Sequence, residues 1–475
     1  MLHESDPYEW AKLHFSGAEM SDIRRVERVI KIATAVAQNP GASFGEMFGN
    51  WYDVKASYKL FGDEEATPEQ LQAGHQWQVK ENLKKPGVYA LLEDTSDMVW
   101  AGREKIAGLG PIGNGSEKLQ GFLLHSVLAV KWEDPTPEEG KRPGVEVIGL
   151  AHQEYYLRQP RPKKETRQAS KQRARESQLW ERATESLGKP PASEWVVWVR
   201  ICDRGADIYE FMLSCQVIQH QFVVRASQNR CLIDPVTRQR QGYLLSTART
   251  LPSLGTTTLT LRARANQAER EVTLSLAATQ ITIGAPSRPG IRPDQQPPIT
   301  CWVVRVWEAN PPAGVKPLEW ILLTDQPVTC LADALRVMRL YATRWFIEEF
   351  HKALKSGLGA ERLQLQHAHR LWAAIAIFSV VALRLLDVRE LARLFPDAPP
   401  QVAGLDPLEL DVLRLNHPHP IETVRDVILA IGRLGGHLNR TNDGLPGWHT
   451  LWRGMLKLRT WVDGVRMAHK LNNFG

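Results

Sequence analysis

The chain has 475 residues, of which 43% are hydrophobic and 24% are charged, with a formal net charge of +6 and a pI near 9.0. This length is enough for two or three domains with substantial cores, and the basic excess suits an anionic partner. The five cysteines show no C-x-x-C spacing, which argues against a zinc site and a disulfide framework. Because no secretory signal and no run of eighteen apolar residues occurs, we expect a soluble, cytoplasmic protein with no membrane partner.

Residues 1–70 are expected to be mainly helical. Apolar residues recur at helical spacing after Ser21, which is a plausible N-cap, and a second helical stretch follows. Basic residues recur on one face of the first of these helices: Arg24, Arg25, Arg28 and Lys31. Such a stripe is either a solvated face or a surface that contacts DNA, and the residues alone leave both interpretations open.

Two aspartates follow apolar runs that are typical of buried strands. The run Val88–Asp94 predicts a strand with Asp94 at its C-terminal end, and the run Trp195–Asp203 predicts another with Asp203 at its end. Each aspartate alone is more often a turn residue or a helix cap. In open α/β sheets, however, binding and chemistry collect outside the carboxyl ends of strands, so the two together mark a candidate site.

Other segments predict the rest of a sheet. Residues 123–132 and 145–152 fit a second and a third strand, and a basic stretch between Arg158 and Arg175 follows them. That stretch suits either a flexible solvated segment or a track for a DNA backbone. Between about residue 230 and residue 325, alternating apolar and polar residues predict a mostly antiparallel insertion, interrupted by a proline-rich loop at 286–298.

The segment Leu340–Lys355 contains no proline or glycine and predicts one helix. At about 100° per residue, four of its polar side chains fall within roughly 60° of one another: Tyr341, Arg344, Glu348 and Lys355. A surface ion pair between Arg344 and Glu348 would explain part of this grouping. The neighbouring Glu349 lies about 80° from Tyr341 on the other side, so we expect Glu348 to be the functional acid.

Asp94, Asp203 and Glu348 would together supply three carboxylates. Converging carboxylates form a hard-oxygen site suited to Mg²⁺ or Mn²⁺, and two such ions can stabilise the attacking and leaving oxygens of phosphoryl transfer. The cations and the phenol beside Glu348 would then hold the phosphates of the substrate. The pattern therefore predicts a two-metal phosphoryl-transfer site.

These residues resemble those of bacterial DDE transposases of the transposon-five type, in the insertion-sequence-four class. The resemblance is carried by Glu-Asp-Thr at Asp94, by Cys-Asp-Arg-Gly-Ala-Asp-Ile at Asp203 and by the Tyr-x2-Arg-x3-Glu-x6-Lys signature from Tyr341. Further stretches match in order and approximate spacing: Phe222–Arg225, Trp320–Thr324, Glu348–Lys352 and Arg-Leu-Gly-Gly at Arg433. The resemblance covers almost the whole chain, and its signature is rare.

The resemblance implies an α/β fold with an RNase H-like catalytic domain at 71–390, which carries the β insertion at about 230–325. A helical domain at 1–70 would bind transposon ends, and a helical domain at 391–475 would dimerise. The implied activity is cut-and-paste transposition: end nicking, hairpin formation, hairpin opening and strand transfer. It would use two Mg²⁺ ions per site, for which Mn²⁺ can substitute. The implied partners are double-stranded DNA of transposon ends and target, and a second copy of the chain in a paired-end complex in the bacterial cytoplasm.

The resemblance also implies individual DNA contacts. Phosphates near the cut would be held by Tyr341, Arg344 and Lys355, with Arg225 and Lys352 as weaker candidates. The transposon end would be contacted by Arg24, Arg25 and Arg28. Trp320 stands 21 residues before Tyr341, where the family holds a base flipped out of the duplex, although a tryptophan at such a position is more often core.

Two other functions compete with transposition. A hydrolytic RNase H-like nuclease could use the same carboxylates, but it would not need a basic N-terminal domain, a β insertion and a dimerising tail on one chain. A domesticated or inhibitory protein that binds transposon ends without cutting them is the non-enzyme alternative. Intact carboxylates at all three positions argue against that alternative.

Overall fold

The computed structural model describes residues 6–472, except 101–105, 114–118, 136–142, 159–174, 262–269, 288–291, 395, 441–442 and 444. The chain is a mixed α/β structure with a mostly antiparallel sheet and helices at both ends. Most of the basic stretch between Arg158 and Arg175 lies outside the described residues, as does part of the proline-rich loop.

The N-terminal region is helical, as the sequence predicts. Its helices are α1 (Pro7–Phe15), α2 (Ile23–Gln38), α3 (Phe44–Phe48), α4 (Trp51–Phe61) and α5 (Pro68–Leu83). Each begins after a side chain that accepts a backbone N–H of the first turn: Asp6, Asp22, Ser43, Asn50 and Thr67. The cap of α2 is therefore Asp22 rather than Ser21. These side chains satisfy donors that a helix start leaves without intrahelical partners.

A 12-stranded sheet occupies the middle of the chain. Its first strands are β1 (Gly87–Trp100), β2 (Gly110–Pro111), β3 (Gln120–Glu133), β4 (Gly144–Tyr156), β5 (Val196–Cys202) and β6 (Gln221–Arg225). The remaining strands are β7 (Cys231–Ile233), β8 (Arg240–Tyr243), β9 (Gly255–Leu261), β10 (Arg270–Ile283), β11 (Ile299–Glu308) and β12 (Glu319–Thr324).

Pairing directions change at β1. Strands β4, β3 and β1 pair antiparallel, whereas β1, β5 and β6 pair parallel. The predicted antiparallel insertion is confirmed in β9 to β12, and it continues the sheet because β12 pairs with β6. The parallel pairing of β1 with β5 ends at Glu93 and Cys202. Asp94 and Asp203 are the next residue of each chain segment, so they occupy neighbouring positions at the carboxyl end of this pair.

The expectation that a strand ends at Asp94 is wrong. Strand β1 continues for six residues to Trp100, still paired antiparallel with β3. Met98 and Trp100 in this continuation are buried. Asp94 is therefore positioned by the end of the parallel pairing and not by the end of its own strand.

The remaining helices follow and surround the sheet. They are α6 (Leu179–Leu187), α7 (Tyr209–Ile218), α8 (Leu244–Thr250), α9 (Leu331–Ala342), α10 (Trp345–Lys352), α11 (Ala368–Leu394), α12 (Pro407–Leu415), α13 (Val424–Leu434) and α14 (Trp448–Asn472).

The prediction of one helix through Leu340–Lys355 is wrong. Helix α9 ends at Ala342, α10 begins at Trp345, and a π-helical turn follows it at Ala353–Gly357. At the junction, the Thr343 hydroxyl donates to the carbonyl of Leu340 (2.6 Å), and backbone N–H groups bond three residues back instead of four. A hydroxyl that bonds back to the preceding turn and tightened hydrogen bonds both bend a helix.

Helix α11 is the central helix of the structure. Its residues from Leu371 to Leu383 are almost all buried, and it packs against α2, α4, α5 and β4. By length and composition, Ala368–Leu386 could cross a membrane, but 78% of this segment is buried inside the protein. A helix that is apolar on all its faces and enclosed by other elements belongs to a core.

The C-terminal helices α12, α13 and α14 have a hydrophobic core of their own. Helices α13 and α14 meet at glycines: a Cβ on Gly435 would lie 1.8 Å from the carbonyl oxygen of Thr450, and a Cβ on Gly454 would lie 1.8 Å from that of Ile431. No side chain fits in this space, so the two helices touch backbone to backbone.

We expect Gly454→Ala to destabilise the C-terminal core by about 1–3 kcal/mol or more, because a methyl group must push α13 and α14 apart. The matched control is Gly464→Ala on the same helix, where a Cβ meets nothing within 4 Å. That change should be stabilising by about 0.5–1 kcal/mol, since alanine favours the helix. Thermal melting of both variants is the measurement, and equal melting temperatures would contradict the close helix contact.

Candidate active site

Asp94 and Asp203 share an electrostatic environment at the carboxyl end of the β1–β5 pair. Asp94 Oδ1 accepts the backbone N–H of Thr95 (2.8 Å), and Asp203 Oδ1 accepts that of Gly205 (2.7 Å). Burial and the charges of Asp203 and Glu348 raise the pKa of Asp94 to about 7, although Arg344 acts in the opposite direction. Nearby like charges in a partly desolvated site favour the uptake of a proton or a cation.

Arg344 lies between two of the three carboxylates. Its Nη1 is 3.4 Å from Asp94 Oδ2, and its Nη2 bonds to Glu348. The Glu348 side chain is 56% exposed, whereas that of Arg344 is only 16% exposed. Arg344 is thus a counter-ion inside the site, and Glu348 stands at its solvent-exposed rim.

Among the described residues, no three Asp, Glu, His or Cys side chains are gathered closely enough to hold a metal ion. Glu348 is turned to Arg344 instead of towards the aspartates. The donor set nevertheless suits a hard cation. Asp94 and Asp203 repel each other, and the charge of Glu348 also acts on Asp94.

Tyr341 and Lys355 reach different parts of the site. Tyr341 is buried, and the centroid of its ring is 5.1 Å from that of Trp320, edge to face. Lys355 Nζ donates to the carbonyl of Asp97 (2.6 Å) and lies 3.2 Å from Glu361 Oε1. Lys355 therefore contacts β1, the strand that carries Asp94. The single helical face predicted for Lys355 does not exist, because the predicted helix is broken after Ala342.

The remaining candidates near the cut lie on separate elements. Trp320 is half-buried on β12 and pairs with Val306 of β11. Arg225, at the end of β6, donates to the backbone carbonyl of Glu319 (3.0 Å). Lys352 is exposed at the end of α10. The structure thus brings Trp320 to Tyr341 and Arg225 to the strand that carries Trp320.

The basic residues of α2 are engaged by acids. The pairs are Arg24–Asp22, Arg25–Asp63, Arg25–Glu65, Arg28–Asp53 and Lys31–Asp53. The side chain of Arg24 is 84% exposed, but that of Arg28 is only 18% exposed. The stripe therefore consists of ion pairs that tie α2 to the helices and turns around it.

A buried polar cluster next to Asp94 was not identified from the sequence. Glu93, His125 and Arg200 are fully buried. His125 Nε2 lies 2.8 Å from Glu93 Oε1, and its Nδ1 lies 2.7 Å from the hydroxyl of Thr95. Arg200 bonds to Glu93 and donates to the hydroxyl of Thr184 (2.7 Å).

The charge state of Glu93 follows from its partners. Burial by itself raises the pKa of Glu93, but Arg200 and His125 together hold that pKa below its ordinary value. Glu93 is therefore ionised and paired. The signal in the sequence was a charged or polar residue inside each of three apolar runs, because buried charges need partners.

Two family models match the ends of the chain. Residues 7–66 match a family described as "Transposase DNA-binding", and residues 380–475 match one described as "Transposase Tn5 dimerisation domain". The first match spans α1 to α4, and the second spans the end of α11 and the C-terminal helices. The chain therefore has a DNA-binding segment at one end and a dimerisation segment at the other.

We expect Asp94→Asn to stabilise the protein at pH 8 in the presence of a chelator. The folded pKa of about 7 lies above the ordinary 3.8, so the stability that a proton on Asp94 supplies is present at low pH and lost as the pH rises towards 7. The gain at pH 8 is at most about 4 kcal/mol, at about 1.4 kcal/mol per pH unit, and it should vanish near pH 4.

Chemical denaturation across this pH range measures the difference between variant and parent. Asp411→Asn, on a side chain that is 66% exposed, is the control and should show no such trend. If the difference in unfolding free energy between Asp94→Asn and the parent is the same at all pH values, burial and like charge do not raise the pKa of Asp94.

Proposed function

We propose that the chain, whose two ends match Tn5-type transposase families, is a transposase that cuts and joins DNA by phosphoryl transfer at Asp94, Asp203 and Glu348. The observation that carries this proposal is the placement of Asp94 and Asp203 at the end of the parallel β1–β5 pair, with Glu348 linked to Asp94 through Arg344. A raised pKa that arises from burial and neighbouring charge is typical of functional carboxylates.

We propose that residues 71–390 form an RNase H-like catalytic domain that carries the β insertion at about 230–325. The strand order supports this: antiparallel β4, β3 and β1 are followed by parallel β5 and β6. The insertion follows β6 in the chain and returns to it through β12. Residues 1–70 would bind the transposon end, and residues 391–475 would dimerise.

The three carboxylates are proposed to hold two Mg²⁺ ions, for which Mn²⁺ can substitute. Bound ions supply charge stabilisation to the attacking and leaving oxygens of phosphoryl transfer. Without them, Arg344 is shared between Asp94 and Glu348 and offsets part of their charge. Once Glu348 leaves Arg344, the guanidinium can turn to a DNA phosphate, which it matches with two parallel donors.

Other side chains of the chain would hold the DNA near the cut. Lys355 donates a hydrogen bond to the backbone carbonyl of Asp97 on β1, the strand that carries Asp94. This bond holds the positive charge of Lys355 at that edge of the site. Tyr341 would contribute with Arg344 and Lys355, and Arg225 and Lys352 are the weaker candidates. The same carboxylates would serve nicking, hairpin formation, hairpin opening and strand transfer within a paired-end complex of two copies.

We expect Asp94→Ala, Asp203→Ala and Glu348→Ala each to lower cleavage by more than about 100-fold, the upper range for loss of an outer-shell metal partner. Binding to transposon ends should remain, since the matched DNA-binding segment lies elsewhere. Cleavage of a duplex that carries the ends of the element, with Mg²⁺, measures the first effect, and gel shift measures the second. Glu349→Ala is the control and should stay within a few-fold of the parent, while substantial cutting by any of the three variants would remove that residue from the site.

Trp320 is proposed to stack on a base that leaves the duplex during hairpin formation, which requires sharp distortion of the DNA. Its ring is only partly buried and packs edge to face against Tyr341. Stacking on an aromatic side chain contributes about 1–3 kcal/mol per base, so Trp320→Ala should slow hairpin formation about 5- to 150-fold while the first nick changes little.

A time course that separates nicked and hairpin products gives both rates. Trp307→Ala, a partly buried tryptophan on the neighbouring strand β11, is the control for general loss of packing. Equal slowing of both steps together with a lower melting temperature would show that Trp320 is only part of the core.

A further inference from the structure

One imidazole contacts the residues on both sides of Asp94. His125, on β3, lies 2.8 Å from Glu93 Oε1 through its Nε2 and 2.7 Å from the hydroxyl of Thr95 through its Nδ1. Side chains two residues apart on a strand point to the same face, so Glu93 and Thr95 face the ring while Asp94 points to the other face. The ring of His125 therefore spans the backbone that carries Asp94.

Thr95 connects this ring directly to the carboxylate of Asp94. Its hydroxyl bonds to His125, and its backbone N–H donates to Asp94 Oδ1 (2.8 Å). Glu93 is ionised, and an ionised carboxylate can only accept hydrogen bonds. Nε2 of His125 therefore carries a hydrogen, and Nδ1 of the neutral ring accepts the hydroxyl proton of Thr95.

The same cluster reaches the segment that carries Asp203. Cys202 precedes Asp203 and is paired with Glu93 in the parallel register of β1 and β5. Burial raises the pKa of the Cys202 thiol well above its ordinary value, so the thiol keeps its proton and donates to Glu93 Oε2 (3.5 Å). The two carboxylate oxygens of Glu93 thus bond to His125 and to the residue before Asp203.

A second contact with the Asp203 segment is made by Trp180, on α6. Its ring meets that of His125 edge to face, with the centroids 5.0 Å apart. A Cβ on Gly205 would lie 3.1 Å from Trp180 Cζ2, so the turn at Gly205 lies directly on the indole. The N–H of Gly205 is the donor that Asp203 Oδ1 accepts (2.7 Å). The ring of His125 is therefore packed into the surroundings of both aspartates.

We propose that His125 is a positioning residue: through its hydrogen bond with Thr95, it sets the direction in which the Asp94 carboxylate meets a divalent cation. This rests on the proposed function. Groups that hydrogen-bond behind a metal ligand orient it, and their loss typically weakens metal binding by about 10- to 100-fold. His125 acts on the ligand through Thr95, whose N–H donates to it.

The other end of the cluster provides a matched control. The hydroxyl of Thr184, on α6, accepts from Arg200 (2.7 Å) and donates to the backbone carbonyl of Trp180 (2.8 Å). Arg200 in turn bonds to Glu93. The hydroxyl of Thr184 thus supports the same buried charges as His125 does, but its bonds lead to Arg200 and α6 and not to Thr95.

The test measures Mn²⁺ binding to the full chain from the loss of the electron paramagnetic resonance signal of the free ion. We expect Thr95→Val, which keeps the shape of the side chain without its hydroxyl, to raise the dissociation constant about 10- to 100-fold. Thr95→Ser keeps the hydroxyl and should restore binding to within a few-fold of the parent. Thr184→Val should lower the melting temperature in a chelator and keep the affinity of the parent.

A second variant tests the same hydrogen bond from the other side. His125→Gln places an amide nitrogen near the position of Nε2, so it keeps the donor to Glu93 and loses the partner of Thr95. It should weaken Mn²⁺ binding as much as Thr95→Val does. The double variant should be no weaker than either single variant, because both changes remove one shared interaction. In cleavage assays the half-saturating Mg²⁺ concentration should rise in all three, while the rate at saturating Mg²⁺ stays within a few-fold of the parent.

The outcomes distinguish this inference from the function on which it rests. If Asp94→Ala binds Mn²⁺ as the parent does, the proposed metal site is wrong and the inference fails with it. If Asp94→Ala loses binding but Thr95→Val and His125→Gln keep it, His125 is only part of the core and the proposed function stands. Equal weakening by Thr184→Val would show that affinity follows the stability of the cluster, and additive losses in the double variant would show that the two residues act separately. Either result overturns the positioning role.

Discussion

The ionised carboxylate of Glu93, buried between His125 and Arg200, is the constraint on which the end of the sheet that carries the candidate active site depends. The three residues come from β1, β3 and β5, so a single charge cluster links three adjacent strands. Removing one member of such a cluster leaves a buried charge unpaired, which costs about 3–5 kcal/mol. The register of β1 against β5 is therefore strongly specified. Because side chains alternate along a strand, Asp94 projects to the face opposite Glu93, and the buried cluster fixes where it stands relative to Asp203.

On that opposite face, burial and like charge outweigh pairing. Asp94 has a pKa of about 7 because it is buried beside other carboxylates, whereas Glu93, one residue earlier, has a lowered pKa because Arg200 and His125 stabilise its carboxylate. The two acids are adjacent in sequence, but their different surroundings shift their pKa values in opposite directions. Asp94 is suited to binding a cation, and Glu93 is suited to holding the strands together. Arg344 moderates the repulsion without abolishing it, since it is shared between Asp94 and Glu348.

Sequence patterns predicted the elements better than their ends. Hydrophobic runs gave the strand before Asp203 and the alternation of β9 to β12, because these patterns follow directly from burial on one or two faces. The end of β1 was missed, since only the partner strand β3 shows that pairing continues past Asp94. The break at Thr343 depends on a hydroxyl that bonds back to Leu340, a contact that helix propensity does not include. The ion pairs of α2 with Asp53 and Asp63 were missed for a similar reason: these acids lie 22 or more residues away and meet α2 only in the fold.

The hydrophobic cores connect the N-terminal helices to the end of the sheet that carries Asp94. Helices α2 and α4 share one continuous core with the sheet and with α11, so a surface on either helix is rigidly placed relative to Asp94. The C-terminal helices have their own core and reach α2 through Arg459, which donates to the last carbonyls of that helix, Ala37 and Gln38 (both 3.1 Å). Charge at a helix C-terminus is stabilising but weak compared with a shared core. A bound transposon end would therefore be held in a fixed position relative to the carboxylates, and the dimerisation segment is joined to the same core through the end of α11.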